Sequence, residues 1–131
     1  MISLLVDHNI EGQAALLWST LSSEGWLDHT PMRLVRLADV NLSPASSDRE
    51  IWHFVQTHEM LLLTANRNLQ QEDSLEQTIR ENNQPSSLPV VTISDPNRMV
   101  EAAYRERCAA RLAEIAIYLS DYLGSGRLYI P

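Results

Sequence analysis

The fold is decided by the stretch Ile2-Ser3-Leu4-Leu5-Val6-Asp7-His8-Asn9, near the start of the sequence. A short apolar run that ends in a carboxylate and an amide is typical of a buried β-strand with polar groups at its carboxyl end. In open parallel sheets, ligands bind in the crevice beyond that end of the strands. Asp7 therefore caps the helix that begins near Glu11, forms an Asx-turn with Asn9, or holds a metal ion.

Strand and helix patterns alternate along the rest of the sequence. Apolar runs predict strands over residues 32–37, 60–64 and 89–93, with an edge strand over 128–130. Helical spacing predicts helices from about Asn9 to a stop at Gly25, from a capping box at Ser47, near residues 73–79, and from about 98 to 121. Alternation of this kind predicts an α/β fold, a Rossmann-like three-layer α/β/α arrangement with a mainly parallel sheet of four or five strands.

The first and third predicted strands, over residues 2–6 and 60–64, are continuously apolar runs, as in strands that are covered on both faces of a sheet. We therefore expect the two strands to be adjacent, which would bring Asp7 close to Asn66. At 131 residues, 44% of them hydrophobic, the sequence predicts a single globular domain over residues 1–131.

The composition excludes several classes of site and location. A lone cysteine, Cys108, excludes an internal disulfide and a cysteine-based metal cluster, and we expect it to be a small buried hydrophobe. No apolar run reaches the roughly 20 residues that a membrane helix needs, and no signal-peptide pattern is visible. We therefore expect a cytoplasmic protein with no membrane segment.

The charge pattern narrows the chemistry further. The formal net charge is −7, and all ten basic residues are arginine. The absence of lysine excludes a P-loop and Schiff-base catalysis, and it argues against receiver domains and haloacid-dehalogenase-type phosphatases. An acidic protein is a poor non-specific binder of nucleic acid, although a local arginine-lined groove remains compatible with this charge. Three arginines, Arg105, Arg107 and Arg111, alternate with glutamates, which predicts a solvated helix face with internal ion pairs.

Polar clusters fall where such a sheet gathers its ligands. Asp7 and Asn9 follow the first strand, Asn66 and Asn68 follow the third, and Asp48 and Glu50 open the helix between them. Ligand sets made of oxygen donors alone suit hard cations such as Mg²⁺ or Mn²⁺. The histidines show no spacing typical of a zinc site.

Three motifs together resemble the small bacterial PIN-like proteins related to the VapC-type toxin ribonucleases. They are Leu4-Leu5-Val6-Asp7-His8-Asn9, Ser47-Asp48-Arg49-Glu50-Ile51-Trp52 and Leu62-Leu63-Thr64-Ala65-Asn66-Arg67-Asn68. The resemblance covers about residues 2–95, and the order and spacing of the motifs are more specific than any one of them. It implies a Rossmann-like sheet with acids at its carboxyl edge that bind Mg²⁺ or Mn²⁺ for RNA cleavage.

On this resemblance the catalytic set would be Asp7, Asp48, Asn66 and Asp73, and the metal ligands would be Asp7, Asp48 and Asn66. The chain departs from the family pattern at Asn66 and Asn68, where two aspartates are usual. An amide still offers a carbonyl oxygen to a cation, but it brings no negative charge. Asp73 or Glu76 would restore an acid if the loop folds back.

Each of these residues also has a structural interpretation. Asp48 lies inside a capping box in which Ser47 is the cap and Glu50 reaches back, so capping is the better interpretation of Glu50. Asn66 and Asn68 are plausible turn residues, and Asp73 is an ordinary N-cap.

Two functional hypotheses remain at this stage. The first is a metal-dependent ribonuclease of PIN type, acting on RNA as the toxin of a toxin–antitoxin pair. The second is a catalytically degenerate PIN-like domain that serves as a protein-binding or regulatory module, with an antitoxin-like partner. An exposed apolar surface on the last long helix would suit a homodimer.

Overall fold

The computed structural model describes residues 1–65 and 74–131. Within them lie five strands: β1 (Ile2–Val6), β2 (Met32–Arg36), β3 (Leu61–Ala65), β4 (Val90–Ile93) and β5 (Arg127–Ile130). The helices are α1 (Glu11–Ser23), α2 (Trp26–His29), α3 (Asp48–Thr57), α4 (Ser74–Asn82), α5 (Ala102–Ile117) and α6 (Leu119–Tyr122). Short 3₁₀ turns occupy His8–Ile10, Leu37–Val40 and Pro96–Val100.

The strands form one sheet in the order β2-β1-β3-β4-β5, and all four neighbouring pairs are parallel. The predicted α/β fold is confirmed, and so is the adjacency of the first and third strands. The two continuously apolar strands, β1 and β3, are interior strands of the sheet. Their sequences are largely apolar because helices cover both of their faces. The predicted edge strand is confirmed as β5, and it follows two turns at Gly124 and Gly126, both with φ +81°.

Two apolar layers cover the two faces of the sheet. On one face, α1 and α5 pack over alternate strand residues such as Leu4, Leu63 and Val91. On the other, α3 and α4 pack over the intervening residues, including Leu5 and Leu62. This alternation arises because successive side chains along a strand point to opposite faces of the sheet. The face on which any strand residue lies can therefore be counted from its neighbours.

The helix predicted over residues 98–121 is wrong in its continuity. Glu101 has an extended backbone (φ −89°, ψ 121°), which separates the turn at Pro96–Val100 from α5. Tyr118, at φ −108° and ψ 33°, separates α5 from α6. Apolar spacing did not reveal the first break because Val100 and Tyr104 are four residues apart, as in a continuous helix, although Val100 proves to be exposed.

Three further side chains lie in the core or pack against it. Cys108 is fully buried, as predicted, and burial raises the pKa of its thiol to about 11. Trp52 is buried and Trp18 is packed partly buried against the core. Among the described residues, no helix combines the length and apolar character needed to cross a membrane.

Candidate functional site

Asp7 and Thr64 lie side by side at the carboxyl edge of the sheet. Asp7 directly follows β1, and its backbone N–H donates to the carbonyl oxygen of Leu63 in β3 at 2.9 Å. Counted along each strand, Asp7 and Thr64 share the face of Leu5 and Leu62, the face covered by α3 and α4. The hydroxyl of Thr64 donates to Oδ2 of Asp7 at 3.0 Å.

The other carboxylate oxygen of Asp7 holds the turn that follows the strand. Oδ1 accepts the backbone N–H of Asn9 at 3.2 Å, so Asp7 caps the turn at His8–Ile10. The first residue before α1 is Ile10, which makes no side-chain capping bond to that helix. Of the two structural alternatives for Asp7, the Asx-type turn with Asn9 is therefore the one that forms, and direct capping of α1 is not.

Asp48 occupies the first position of α3 and contacts the start of α4. Its Oδ2 accepts a hydrogen bond from the hydroxyl of Ser74. The predicted capping box is confirmed beside it: the N–H of Glu50 donates to Oγ of Ser47 at 3.1 Å, and the N–H of Ser47 donates to Oε1 of Glu50 at 3.4 Å. Glu50 is thus engaged in capping, whereas the carboxylate of Asp48 is held by a different helix.

The topology brings the Asp7–Thr64 and Asp48–Ser74 pairs to the same edge and the same face. A helix that connects parallel strands begins at the carboxyl edge and runs back to the amino edge. Asp48 and Ser74 are the first residues of two such helices, α3 and α4, which cover the face that carries Asp7 and Thr64. Two carboxylates, each held by a neighbouring hydroxyl, therefore lie at the carboxyl edge, the edge at which parallel sheets bind ligands.

Two further acids of this region are engaged elsewhere. Oε2 of Glu76 lies 3.1 Å from Nε of Arg127 in β5, the outermost strand on one side of the sheet. The structure therefore pairs Glu76 with that strand rather than placing it beside Asp7. Oε2 of Glu11 lies 3.1 Å from Nδ1 of His8, and both side chains are partly or largely exposed.

Three residues of the sequence-based set, Asn66, Asn68 and Asp73, lie outside the described residues. Sequence reasoning did not include Thr64 and Ser74 in the site. A signal existed for each of them: Thr64 is the polar residue at the end of the apolar run of β3, and Ser74 opens α4.

The donor chemistry at this edge fits a hard cation. Asp7 and Asp48 offer carboxylate oxygens, and Mg²⁺ is commonly held by one or two carboxylates together with several waters. Within the described ranges, 1–65 and 74–131, no three or more histidine, cysteine or acidic side chains come together as a metal-binding group. Within the described residues, Asp7 and Asp48 are therefore the two charged side chains that this edge offers to a cation.

Five of the nine arginines in the described residues are paired with acids. Five ion pairs, at N–O distances of 2.5–3.1 Å, are Arg36–Asp39, Arg49–Glu81, Arg98–Glu101, Arg111–Glu114 and Arg127–Glu76. Hydrogen bonds from Arg36 hold the pKa of Asp39 below its usual range, and those from Gln77 and Arg49 do the same for the pKa of Glu81. The predicted ion pairing on α5 is confirmed for Arg111, whereas Arg105 donates to Thr20 and to the carbonyl oxygen of Met99.

Comparison with known proteins adds no assignment to this geometry. No family model, no curated protein and no solved structure gives a match to the chain.

Proposed function

We propose that this protein is a divalent-metal-dependent ribonuclease with its active site at the carboxyl edge of the sheet. The observation that carries the proposal is the placement of the Asp7–Thr64 and Asp48–Ser74 pairs at one edge and on one face of the sheet. The resemblance of the three sequence motifs to PIN-like ribonucleases supports it. Mn²⁺ is favoured over Mg²⁺, because it tolerates fewer charged ligands and softer neutral ones.

In this proposal the two aspartates hold the cation and the hydroxyls hold the aspartates. Thr64 fixes one carboxylate oxygen of Asp7, and Ser74 fixes one of Asp48. Asn66 would add a neutral oxygen and Asp73 a further carboxylate, on the sequence argument alone. When bound, the cation polarises a phosphoryl oxygen and lowers the pKa of an attacking water.

Cleavage of a mixed pool of single-stranded RNA in the presence of Mn²⁺ tests the activity. We expect the wild-type protein to cleave RNA and Asp7→Asn to lose at least about a hundredfold in rate, as is typical when a group that stabilises the transition state is removed. Asp121→Asn is the matched control, because Asp121 is an exposed carboxylate in α6, beyond the amino edge of the sheet. Equal cleavage by wild type and Asp7→Asn would contradict the proposal.

Calorimetric titration with Mn²⁺ tests the metal separately from catalysis. We expect weak binding to the wild-type protein and to Asp121→Asn, and no measurable heat with Asp7→Asn. If the three proteins give the same heats, or none gives any, Asp7 does not hold a cation.

Position 66 tests the departure from the family pattern. Asn66→Asp adds a charge where the resemblance expects an acid, so we expect tighter Mn²⁺ binding and faster RNA cleavage. A nuclease whose activity is unchanged or reduced by Asn66→Asp would exclude position 66 from the metal site.

A second candidate function is a binding or regulatory module with an antitoxin-like protein or a second copy as its partner. The observation that favours it is the capping bond from Asn9 to Asp7, because that bond gives the carboxylate a structural task without any metal. The paired arginines and the net charge of −7 point the same way, since neither favours RNA. Absence of cleavage by wild type and by Asn66→Asp would leave this second function as the one to pursue.

A further inference from the structure

A cleft of about 350 Å³ lies between the start of α1 and the turn at Pro96–Val100. Both segments leave the sheet at its carboxyl edge, since α1 follows β1 and the turn follows β4. Gly12, which lines the cleft, is five residues beyond Asp7. The cleft therefore opens at the same edge as the proposed metal site, on the face covered by α1 and α5.

The walls of the cleft are apolar and unusually accessible. Met99 is fully buried, whereas Leu16 is 40% and Val100 77% exposed. Large apolar side chains that stay exposed around a concavity are typical of binding sites. At Gly12 an added Cβ would have no heavy atom within 4 Å, so the missing side chain leaves open space there.

Two amide side chains, Gln13 and Asn97, supply the polar groups of the cleft. Neither makes a side-chain hydrogen bond within the part of the chain that the structure describes. Among the residues that the structure describes, no charged side chain lines the cleft. A neutral ligand with an apolar body and a hydrogen-bonding edge matches these walls, because each amide offers both a donor and an acceptor.

We propose that this cleft binds an unstacked base of a single-stranded RNA whose backbone passes the Asp7 edge, an inference that rests on the proposed ribonuclease function. The volume suits one heterocycle, since it is near the lower end of the roughly 300–1,000 Å³ of small-ligand pockets. Asparagine and glutamine amides read base edges through paired donors and acceptors. Bases of single-stranded RNA are accessible to such contacts because they are unpaired.

Equilibrium binding of a fluorescent single-stranded RNA hexamer tests the base site. All variants carry Asp7→Ala, so that cleavage cannot intervene. We expect Gly12→Leu, which fills the cleft, to raise the dissociation constant at least about tenfold, the factor that corresponds to one good base contact. Asn97→Ala, which removes one amide, should raise it by roughly threefold or more. Ser22→Leu is the matched control, because it adds the same side chain at an exposed position at the other end of α1, and it should bind like the parent.

Nuclear magnetic resonance of the same parent protein with free nucleosides locates the binding directly. We expect the amide signals of Gly12, Gln13 and Asn97 to shift, with or without Mn²⁺. Binding that Gly12→Leu and Asn97→Ala leave unchanged, or nucleosides that do not shift these signals, would overturn the base site and leave the cleft to an apolar side chain of a protein partner. Failure of the ribonuclease proposal is distinct, because it appears as absence of cleavage by the wild type while base binding persists.

Discussion

The side chain of Thr64 connects β3 to the Asp7 carboxylate at the carboxyl edge of the sheet. It is 3% exposed, and its hydroxyl donates to Asp7, 57 residues earlier in the chain. Burial of a hydroxyl without a hydrogen-bond partner costs free energy, which favours keeping the Thr64–Asp7 bond. Because the bond is kept, it also fixes the orientation of the Asp7 carboxylate. At the residue scale, the orientation of the Asp7 carboxylate therefore depends on a side chain from a different strand.

Replacement of Thr64 tests this bond. Thr64→Val keeps the shape of the side chain and removes the hydroxyl, so we expect the free energy of unfolding to fall by about 1 kcal/mol. Urea denaturation measures the change. Thr64→Ser retains the hydroxyl and should keep Mn²⁺ binding and RNA cleavage, whereas Thr64→Val should weaken both. A Thr64→Val protein with unaltered stability and metal binding would show that the bond does not position Asp7.

At the scale of the element, α3 illustrates how a local signal and a tertiary contact combine at one helix end. Ser47 and Glu50 satisfy backbone N–H groups through the capping box, entirely within the segment. Asp48, between them, is bound instead by Ser74 at the start of α4. The capping box thus sets where α3 begins, and Asp48, as its first residue, lies at the carboxyl edge of the sheet.

Loss of the cap should destabilise α3 and the site together. We expect Ser47→Ala to lower the free energy of unfolding by about 1 kcal/mol, the usual cost of removing a serine N-cap. Glu50→Gln is the control, because glutamine also completes a capping box, and it should remain close to wild type. Thermal unfolding followed by circular dichroism compares the variants. Equal losses from Ser47→Ala and Glu50→Gln would mean that charge, rather than capping, stabilises the helix end.

At the scale of the whole molecule, the strand order determines where burial is deepest. β3 lies between β1 and β4 and is covered by helices on both faces, whereas β5 has a neighbour on one side only. Leu63 in β3 is fully buried, while Leu128 in β5 is partly buried. Truncation of the same side chain should therefore cost different amounts in the two strands.

We expect Leu63→Ala to lower the free energy of unfolding by about 2–5 kcal/mol, through lost burial and the cavity that remains. Leu128→Ala should cost less than half as much, because its side chain already contacts solvent and the edge strand can relax. Urea denaturation of both variants gives the comparison. Similar losses at the two positions would contradict the central position of β3.

The sequence by itself determined the α/β class, the parallel arrangement and the neighbourhood of β1 and β3. These follow from local causes: continuous apolar runs require cover on both faces, and alternation of strand with helix requires crossover connections. It also determined the start of α3, since a capping box lies within four consecutive residues. The break at Glu101 could not be read in this way, because the apolar residues Val100 and Tyr104 are four apart, as in one helix, although Val100 is in fact exposed.

Only the tertiary structure decided which side chains hold the candidate site. Thr64 bonds to Asp7 and Ser74 to Asp48, although 57 and 26 residues separate the partners. Glu76 is paired with Arg127 of the last strand instead of standing near Asp7. Hydrogen bonds and ion pairs of this kind depend on the angle and distance between packed elements, which the spacing of residues along a chain does not encode. The sequence thus located the edge of the sheet where the acids lie, and the packing of α3 and α4 decided which groups orient them.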